Sequence, residues 1–593
     1  MTEFRTVPVG GEARGKALPL PAAIEHFVRP GMHLNFASTP SRSNAAIREI
    51  ARQFRGKNPE FVFSATGFHS MAHLLARLGL GRRYIGCFFG DNYPTPRPNR
   101  LYRELARRPG LLEHWSLWTY VSALRAGAFG HEYAVIHSLS GTSLGADLAR
   151  AGKLLEIPAP EGDARPVTLV RALVPDIVFL HAPAADVLGN VLLAPPLSEG
   201  VYGALGARLG VVATVDRLLS TAEVARFPEL RPLPAHRVLS VSEEAFGAHP
   251  QPLHFAPSAP SVPSYRDDYA QYEFWRAIGE GLTELSEFST AVLDAEDGAS
   301  GYLRFVGRER LEALRTRPGR ALARPSPTVS VSSPEPALTW QSTSAQDRLL
   351  VLAARAIVRR VAALQPKSIL AGLGQAWNAV RLAELLLRRE HPGLDCPEIM
   401  VETGFAGVGG EAPEAFLLSQ ANVASAARLA SVDVMLGALT CGNQQCLGVI
   451  GAAQVDPDGN LNSSWVDGQF LVGSGGASDI AACAEDVIVL TQCDRNRLVS
   501  KVEYVTSSGR RVRTVVTGDC VFERELGAEW QVSQVPPTAE GELSQAALAE
   551  RCPWPLHWPV HAEPVGALSP TEARFLSDLR RNSARRGQEE KHA

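Results

Sequence analysis

The feature that most constrains how this chain folds is a unit that occurs twice. The pattern Asp-x-x-Gly-Asn appears once in each half, as Asp186-Val187-Leu188-Gly189-Asn190 and as Asp456-Pro457-Asp458-Gly459-Asn460. Downstream of each, a β-rich apolar run ends in Asp-Arg. The first is Val211 to Val215 before Asp216-Arg217, the second Val487 to Cys493 before Asp494-Arg495. From pattern to terminal Asp is 30 positions in the first half (186 to 216) and 38 in the second (456 to 494). The longer interval carries the loop Gly473-Ser474-Gly475-Gly476-Ala477-Ser478-Asp479. A scaffold present twice, with a glycine-rich loop in one copy only, predicts two domains of similar architecture and different roles.

Length agrees with that division, because 593 residues exceed what one hydrophobic core serves. A formal net charge of −3 offers no overall basic field, which argues against a nucleic-acid partner. Local basic clusters such as Arg510-Arg511 and Arg580-Arg581 read as solvated surface or tail. No apolar run approaches bilayer length, and Met1 to Arg5 lacks an apolar signal core, so no membrane partner is expected and a cytoplasmic location is the default. The eight cysteines do not make a disulfide framework. Cys441 and Cys446 lack a second pair and read as buried small apolar residues. His69 and His73, four apart on what reads as one helix face, do not complete a metal site. Neither a metal nor a resident cofactor is expected.

A Pro/Ser-rich stretch from Arg317 to about Thr343 has too little apolar content to pack and reads as a linker. On either side, helical and extended patterns alternate. Helices are expected over Ser43 to Phe54, Ala345 to Leu364 (with Ser344 as N-cap) and Trp377 to Arg389. Strands are expected over Glu60 to Ser64, Asp176 to Ala182, Ser368 to Ala371 and Glu398 to Val401. This rhythm predicts an α/β fold: two open, mainly parallel α/β domains. The expected division is 1–316, a linker at 317–343, 344–530, and a C-terminal extension at 531–593 whose end, from Arg580, frays.

In open parallel sheets, ligand sites gather at the carboxyl ends of strands. Glu402 occupies such a place, directly after Glu398-Ile399-Met400-Val401. The glycines at 404, 407, 409 and 410 leave the backbone there free to turn. Its carboxylate is the first catalytic candidate; the bland alternative is a solvated glutamate at a strand exit. Gly473, Gly475, Gly476 and Ala477 form the second, since glycine-rich turns expose N–H groups that stabilise an oxyanion or cradle a phosphate. No Gly-Lys-Ser/Thr follows, and the spacing is not that of a dinucleotide site. Gly372 and Gly374 precede a helix, where they can seat an anion or serve as a plain turn.

In their order along the chain, these segments resemble the family I coenzyme A transferases. Residues from about 20 to 315 resemble the α subunit, through Ile85 to Asn92, Gly141 to Asp147, Asp176 to Asn190 and Phe246 to Pro250. Residues from about 346 to 525 resemble the β subunit, through Gly372-Leu373-Gly374, Glu402-Thr403-Gly404, Asp456 to Asn460, Gly473 to Asp479 and Val499 to Tyr504. The resemblance implies two subunits fused in one chain, with acyl-CoA and carboxylic acids as substrates, and it is compatible with a homo-oligomer. It places Glu402 at the catalytic glutamate and implies ping-pong transfer through a glutamyl-CoA thioester.

One segment departs from the family. Where an early Gly-Gly-Phe-like turn is usual, this chain has Asn35-Phe36-Ala37-Ser38-Thr39-Pro40-Ser41-Arg42-Ser43. Ser38 and Arg42 thereby become substrate-binding candidates, Arg42 either for a carboxylate or as an ordinary residue near a helix start. Asp91 and Asn92, after Cys87-Phe88-Phe89-Gly90, are further candidates, with a plain turn Asp as the alternative. The altered loop keeps two other activities open on this scaffold, acyl-CoA hydrolysis and C–C cleavage. A third alternative is a non-catalytic sensor or regulatory protein of the related fold.

Overall fold

The computed structural model describes residues 15–37, 41–158, 166–254, 264–316, 338–408, 414–443, 445–539, 541, 543–558 and 563–589. Ser38, the greater part of the expected linker (317–337) and the glycines at 409 and 410 lie outside them.

The first half is built on a parallel sheet. Its strands are β1 (His33–Phe36), β2 (Phe61–Ser64), β3 (Gly81–Gly86), β4 (Leu112–His114), β5 (Ile177–Ala185), β6 (Gly210–Leu218) and β7 (Val238–Glu243). They lie in the order β7-β6-β5-β1-β2-β3-β4, every pair parallel, with Val191–Leu192 added antiparallel to β5. All nine residues of β5 are buried, as expected of a central strand covered on both faces. The helices used below are α1 (Leu20–Phe27), α2 (Asn44–Phe54), α3 (Leu117–Ala128) and α4 (Gly298–Val306). Ser43 starts α2 by accepting a hydrogen bond from the Ala46 N–H at 3.3 Å.

The second half repeats the plan with different edges. Its strands are β8 (Ser368–Ala371), β9 (Glu398–Val401), β10 (Phe405–Val408), β11 (Ala426–Leu429), β12 (Cys446–Gly451), β13 (Asp486–Leu490), β14 (Val512–Val516), β15 (Val521–Glu523) and β16 (Trp530–Val535). Five central strands, β9-β8-β12-β13-β14, are parallel; antiparallel strands flank them on both sides. The helices are α5 (Ala345–Leu364), α6 (Gln375–Glu390) and α7 (Ala477–Cys483). Ser344 and Asp347 form a reciprocal capping box at the start of α5.

The repeated sequence pattern is a repeated turn. In the first copy the Asn190 N–H donates to Asp186 Oδ1 at 2.9 Å and the Gly189 N–H to the Asp186 carbonyl at 3.2 Å. In the second, the Asn460 N–H donates to Asp456 Oδ1 at 2.9 Å and the Gly459 N–H to the Asp456 carbonyl at 2.8 Å. Both glycines have positive φ, 89° and 81°, which a side chain disfavours. Each half has a core of its own, and a further apolar cluster runs between them, joining Trp115, Trp118 and Leu124 to Leu370, Met400, Leu436 and Ile480.

Three expectations need correction. The boundary at 530 falls inside the sheet: β16 begins there, and Leu556–His557 and Glu563–Pro564 pair with it. The segment after 530 therefore completes the second domain. Nor do the described residues after Arg580 fray. A helix spans Pro570–Glu589, Phe575 and Leu576 are buried, and Arg580 pairs with Asp347 at 2.6 Å. Finally, His69 and His73 share no helix. His69 is extended, with φ −142° and ψ 165°, and His73 begins a short helix after an intervening single turn. Among the described residues, no helix is long and apolar enough to cross a membrane.

Candidate active site

Glu402 follows β9 directly, at the carboxyl end of the parallel strands. The turn that holds it is closed by the Gly404 N–H, which donates to the Val401 carbonyl at 3.0 Å. The Gly404 carbonyl in turn accepts from the Ala430 N–H at 2.6 Å. Gly404 has φ +113°, and a Cβ there would stand 2.7 Å from the Ala430 carbonyl oxygen, so the turn requires glycine.

The loop at 473–479 closes over this turn, strapped to the first half by its backbone. The Ser474 N–H donates to His114 Nε2 at 2.8 Å and the Gly475 N–H to the Cys87 carbonyl at 3.0 Å. The Gly475 carbonyl accepts from the Leu117 N–H at 2.9 Å. The Ala477 N–H turns inward to the Ser474 carbonyl at 2.9 Å. Gly475 and Ala477 thus have protein acceptors, and the Gly476 N–H is the donor that reaches the Glu402 carboxylate. A Cβ on Gly476 would overlap Glu402 Oε2; one on Gly473 would stand 2.7 Å from His114 Nε2. Gly473, with φ +96° and the Cys87 carbonyl also 2.8 Å from such a Cβ, requires glycine; at Gly476 an added methyl would have to displace the end of the Glu402 side chain.

Asp479, in the first turn of α7, fastens the strap. Its carboxylate accepts from Ser116 Oγ at 2.8 Å and from the Trp118 N–H at 2.9 Å. A carboxylate of the second half therefore caps α3 of the first, where the N-terminal N–H groups favour an anion.

These groups change one another's acidity. Glu402 retains some accessible surface, but its carboxyl is enclosed by protein. Burial first, then the Asp479 charge, pushes it up to about 7, with the Gly476 N–H pulling the other way. Burial likewise raises Asp479 to about 6, against its hydrogen bonds from Trp118 and Ser116 and the pull of the nearby Ser138 hydroxyl. Burial, and after it the charges of Asp479, Glu199 and Glu402, raises the Cys87 thiol. His114 is pushed down to about 3 by burial, so it is neutral and its Nε2 is free to accept from Ser474.

The other candidates make their contacts elsewhere. Gly372 donates its N–H to the Val449 carbonyl at 2.8 Å. Gly374, with φ +79°, starts α6 and faces Thr95 and Pro96 of the first half. Arg42 is 1% exposed, and its guanidinium donates to the carbonyls of Gly67 at 2.8 Å and His69 at 2.9 Å. Those bonds occupy it inside the first domain. Asp91 is buried, accepting from His73 Nε2 at 2.9 Å and Asn99 Nδ2 at 2.8 Å; Asn92 beside it is also buried. Ser38 lies outside the described residues. The sequence alone assigns no role to His114, Cys87, Ser116 or Glu199, which carry no local motif. Among the described residues, no group of three or more His, Cys, Asp or Glu side chains is arranged to hold a metal ion.

A family model for coenzyme A transferase matches residues 20–234. An uncharacterised protein of Archaeoglobus fulgidus is 23% identical over 316 residues, covering 52% of this chain and 67% of that protein. One of the subunits of the 3-oxoadipate CoA-transferase from Pseudomonas knackmussii is 27% identical over 166 residues, 24% of this chain and 62% of that polypeptide. Among solved structures, the apoenzyme of the acyl-CoA transferase YdiF from Escherichia coli O157:H7 superposes with a TM-score of 0.63 at 14% identity. It covers 94% of this chain and 96% of its own, so the fold is shared along nearly the whole length.

Proposed function

We propose that the whole chain moves coenzyme A between an acyl-CoA and a free carboxylic acid, with Glu402 as nucleophile, a reading supported by the match of residues 20–234 to the coenzyme A transferase family model. The observation that carries this reading is the seating of the Glu402 carboxylate against the Gly476 N–H, at a strand end covered by a loop fastened to the other half.

In this mechanism the ionised Glu402 attacks the thioester carbonyl, the C–S bond breaks, and coenzyme A leaves as thiolate from a mixed anhydride. The thiolate attacks the glutamyl carbonyl and expels the first carboxylate, leaving a glutamyl-CoA thioester. An incoming carboxylate attacks that thioester, and the released thiolate attacks the new acyl group, regenerating Glu402. Every step passes through an oxyanion, for which backbone N–H groups beside the carboxylate are the natural stabiliser. A carboxyl raised to about 7 is a more basic nucleophile than an ordinary one, and it must be ionised to react. The first half-reaction therefore rises with pH through about 7 and is lost below it.

The test is adduct formation. Incubated with a panel of acyl-CoA esters and no acceptor acid, the protein gains the mass of coenzyme A. Borohydride or hydroxylamine then marks the peptide containing Glu402-Thr403-Gly404. Turnover of CoA esters without any adduct would instead leave hydrolysis or C–C cleavage as the activity.

Asp479 gives an independent check. Asp479→Asn keeps an acceptor toward α3 but removes the charge that helps to raise Glu402. The acid limb of the rate–pH profile then moves to lower pH by about half a unit to one unit. A purely structural loss would lower the rate at every pH and leave the limb in place.

A further inference from the structure

The site at Glu402 lies between the halves. A second cavity, of about 620 Å³, opens within the first half alone, between α1, α2, the end of β7 and the start of α4. That volume lies in the range of small-molecule sites. Its wall contains two nearly buried charges of opposite sign, Arg48 at 5% and Glu244 at 9% exposure.

Three neighbouring carboxylates are already employed, and Glu296 is exposed to solvent. Glu49 holds Arg52 at 2.7 Å, Glu243 accepts from the Leu218 N–H at 2.9 Å, and Asp297 caps α4 through Ala299 at 3.1 Å. Arg48 and Glu244 are not. Among the described residues the Glu244 carboxylate has no hydrogen-bond or ion-pair partner. The Arg48 guanidinium reaches only the sulfur of Met71, at 3.7 Å, while lying over the Tyr302 ring at 3.7 Å from its centroid. The two charges do not pair with each other. Burying two charges that do not meet, one answered only by a sulfur and a ring face and the other by no partner among the described residues, is costly, and one fold position carrying both calls for a ligand that answers them. Burial raises the Glu244 carboxyl to about 7, with the charge of Arg48 opposing, so the bare carboxylate is disfavoured and a cation placed against it would favour its ionised form.

We propose that this cavity binds a free amino acid, its ammonium group on Glu244 and its carboxylate on Arg48. Spanning two separated, opposite charges is what a small zwitterion does and what a simple amine or a simple acid does not. Apolar residues Leu20, Leu218, Val241 and Val292 line the remainder, and the acids Glu243, Glu296 and Asp297 leave a negative surplus there. Among amino acids this favours a basic side chain. The proposal does not depend on the chemistry at Glu402.

The experiment is calorimetric titration and thermal melting of the full chain with lysine, alanine, glutamate, cadaverine and hexanoate. Lysine binds saturably and raises the melting temperature. Cadaverine, with no carboxylate, and hexanoate, with no ammonium, bind at least about tenfold more weakly. Glu244→Gln weakens lysine about tenfold or more and leaves hexanoate unchanged. Arg48→Gln weakens lysine and leaves cadaverine unchanged, and Arg48→Lys, which keeps the charge over Tyr302, restores part of the loss. Glu244→Gln leaves the Glu402 adduct at its wild-type level, which separates this site from the other. The proposal is overturned if no amino acid binds at millimolar concentration, or if lysine binds equally well to the wild-type protein and to Glu244→Gln.

Discussion

On the proposed mechanism, Glu402→Gln is expected to abolish coenzyme A transfer, lowering the rate by roughly 10⁴-fold or more, because the amide cannot form the anhydride. Both rate and adduct are read, and both vanish together. The same substitution is expected to stabilise the protein at alkaline pH. The folded carboxyl is raised to about 7, above its ordinary value, so the native state holds its proton more tightly than the unfolded chain. Stability from this group is fully present below the ordinary carboxylate range and is lost as pH rises through about 7. Glutamine does not titrate and escapes that loss. Melting curves of the two proteins therefore diverge at pH 8, with the variant higher, and converge toward pH 5. Retained activity, or a variant less stable than wild type at pH 8, would contradict the role and the environment assigned to Glu402.

Gly476→Ala produces the second large effect. An added methyl overlaps Glu402 Oε2 and also meets Leu436, so the carboxylate must move or the strap must lift. A displacement of about 1 Å from the reacting geometry is expected to cost roughly 10²-fold in rate. Gly475→Ala is the control. Its Cβ would stand 3.8 Å from Glu402 Oε1, in ordinary contact, and its cost is backbone strain at φ +50°. The first variant therefore loses adduct formation at near-normal stability, and the second loses stability more than rate. The comparison needs only a melting curve and the adduct assay on each protein.

How much of this is legible in the sequence depends on the distance over which each signal acts. The capping box of Ser344 and Asp347 spans three residues, so the limits of α5 can be read from local text alone. The same holds for β9 and for the placement of Glu402 at its end. The start of α6 reads two residues late because Gly374 enters the helix through a positive φ that no side-chain pattern announces. Arg42 looks available because arginine is usually exposed; the carbonyls that bury it come from Gly67 and His69, on a different segment. Asp479 stands in plain view within the glycine-rich loop. Its partners Ser116 and Trp118, however, lie 363 and 361 positions away, and no periodicity or motif connects them. The two charges in the second cavity, on α2 and just after β7, are likewise brought together by the fold alone.

The strap between the halves has a consequence for how the protein behaves on dilution. The hydrogen bonds from Ser474 and Gly475 to His114 and Cys87, and from Ser116 and Trp118 to Asp479, join segments of one polypeptide. In a pair of separate subunits the same bonds would obey mass action and disappear as the concentration fell below the dissociation constant. Within a single chain each half sees the other at an effective concentration on the order of millimolar, whatever the protein concentration in the tube. Contacts too weak to hold two free subunits together are then sufficient to keep the cleft assembled. After any opening, the two sides of the strap therefore meet again however dilute the protein.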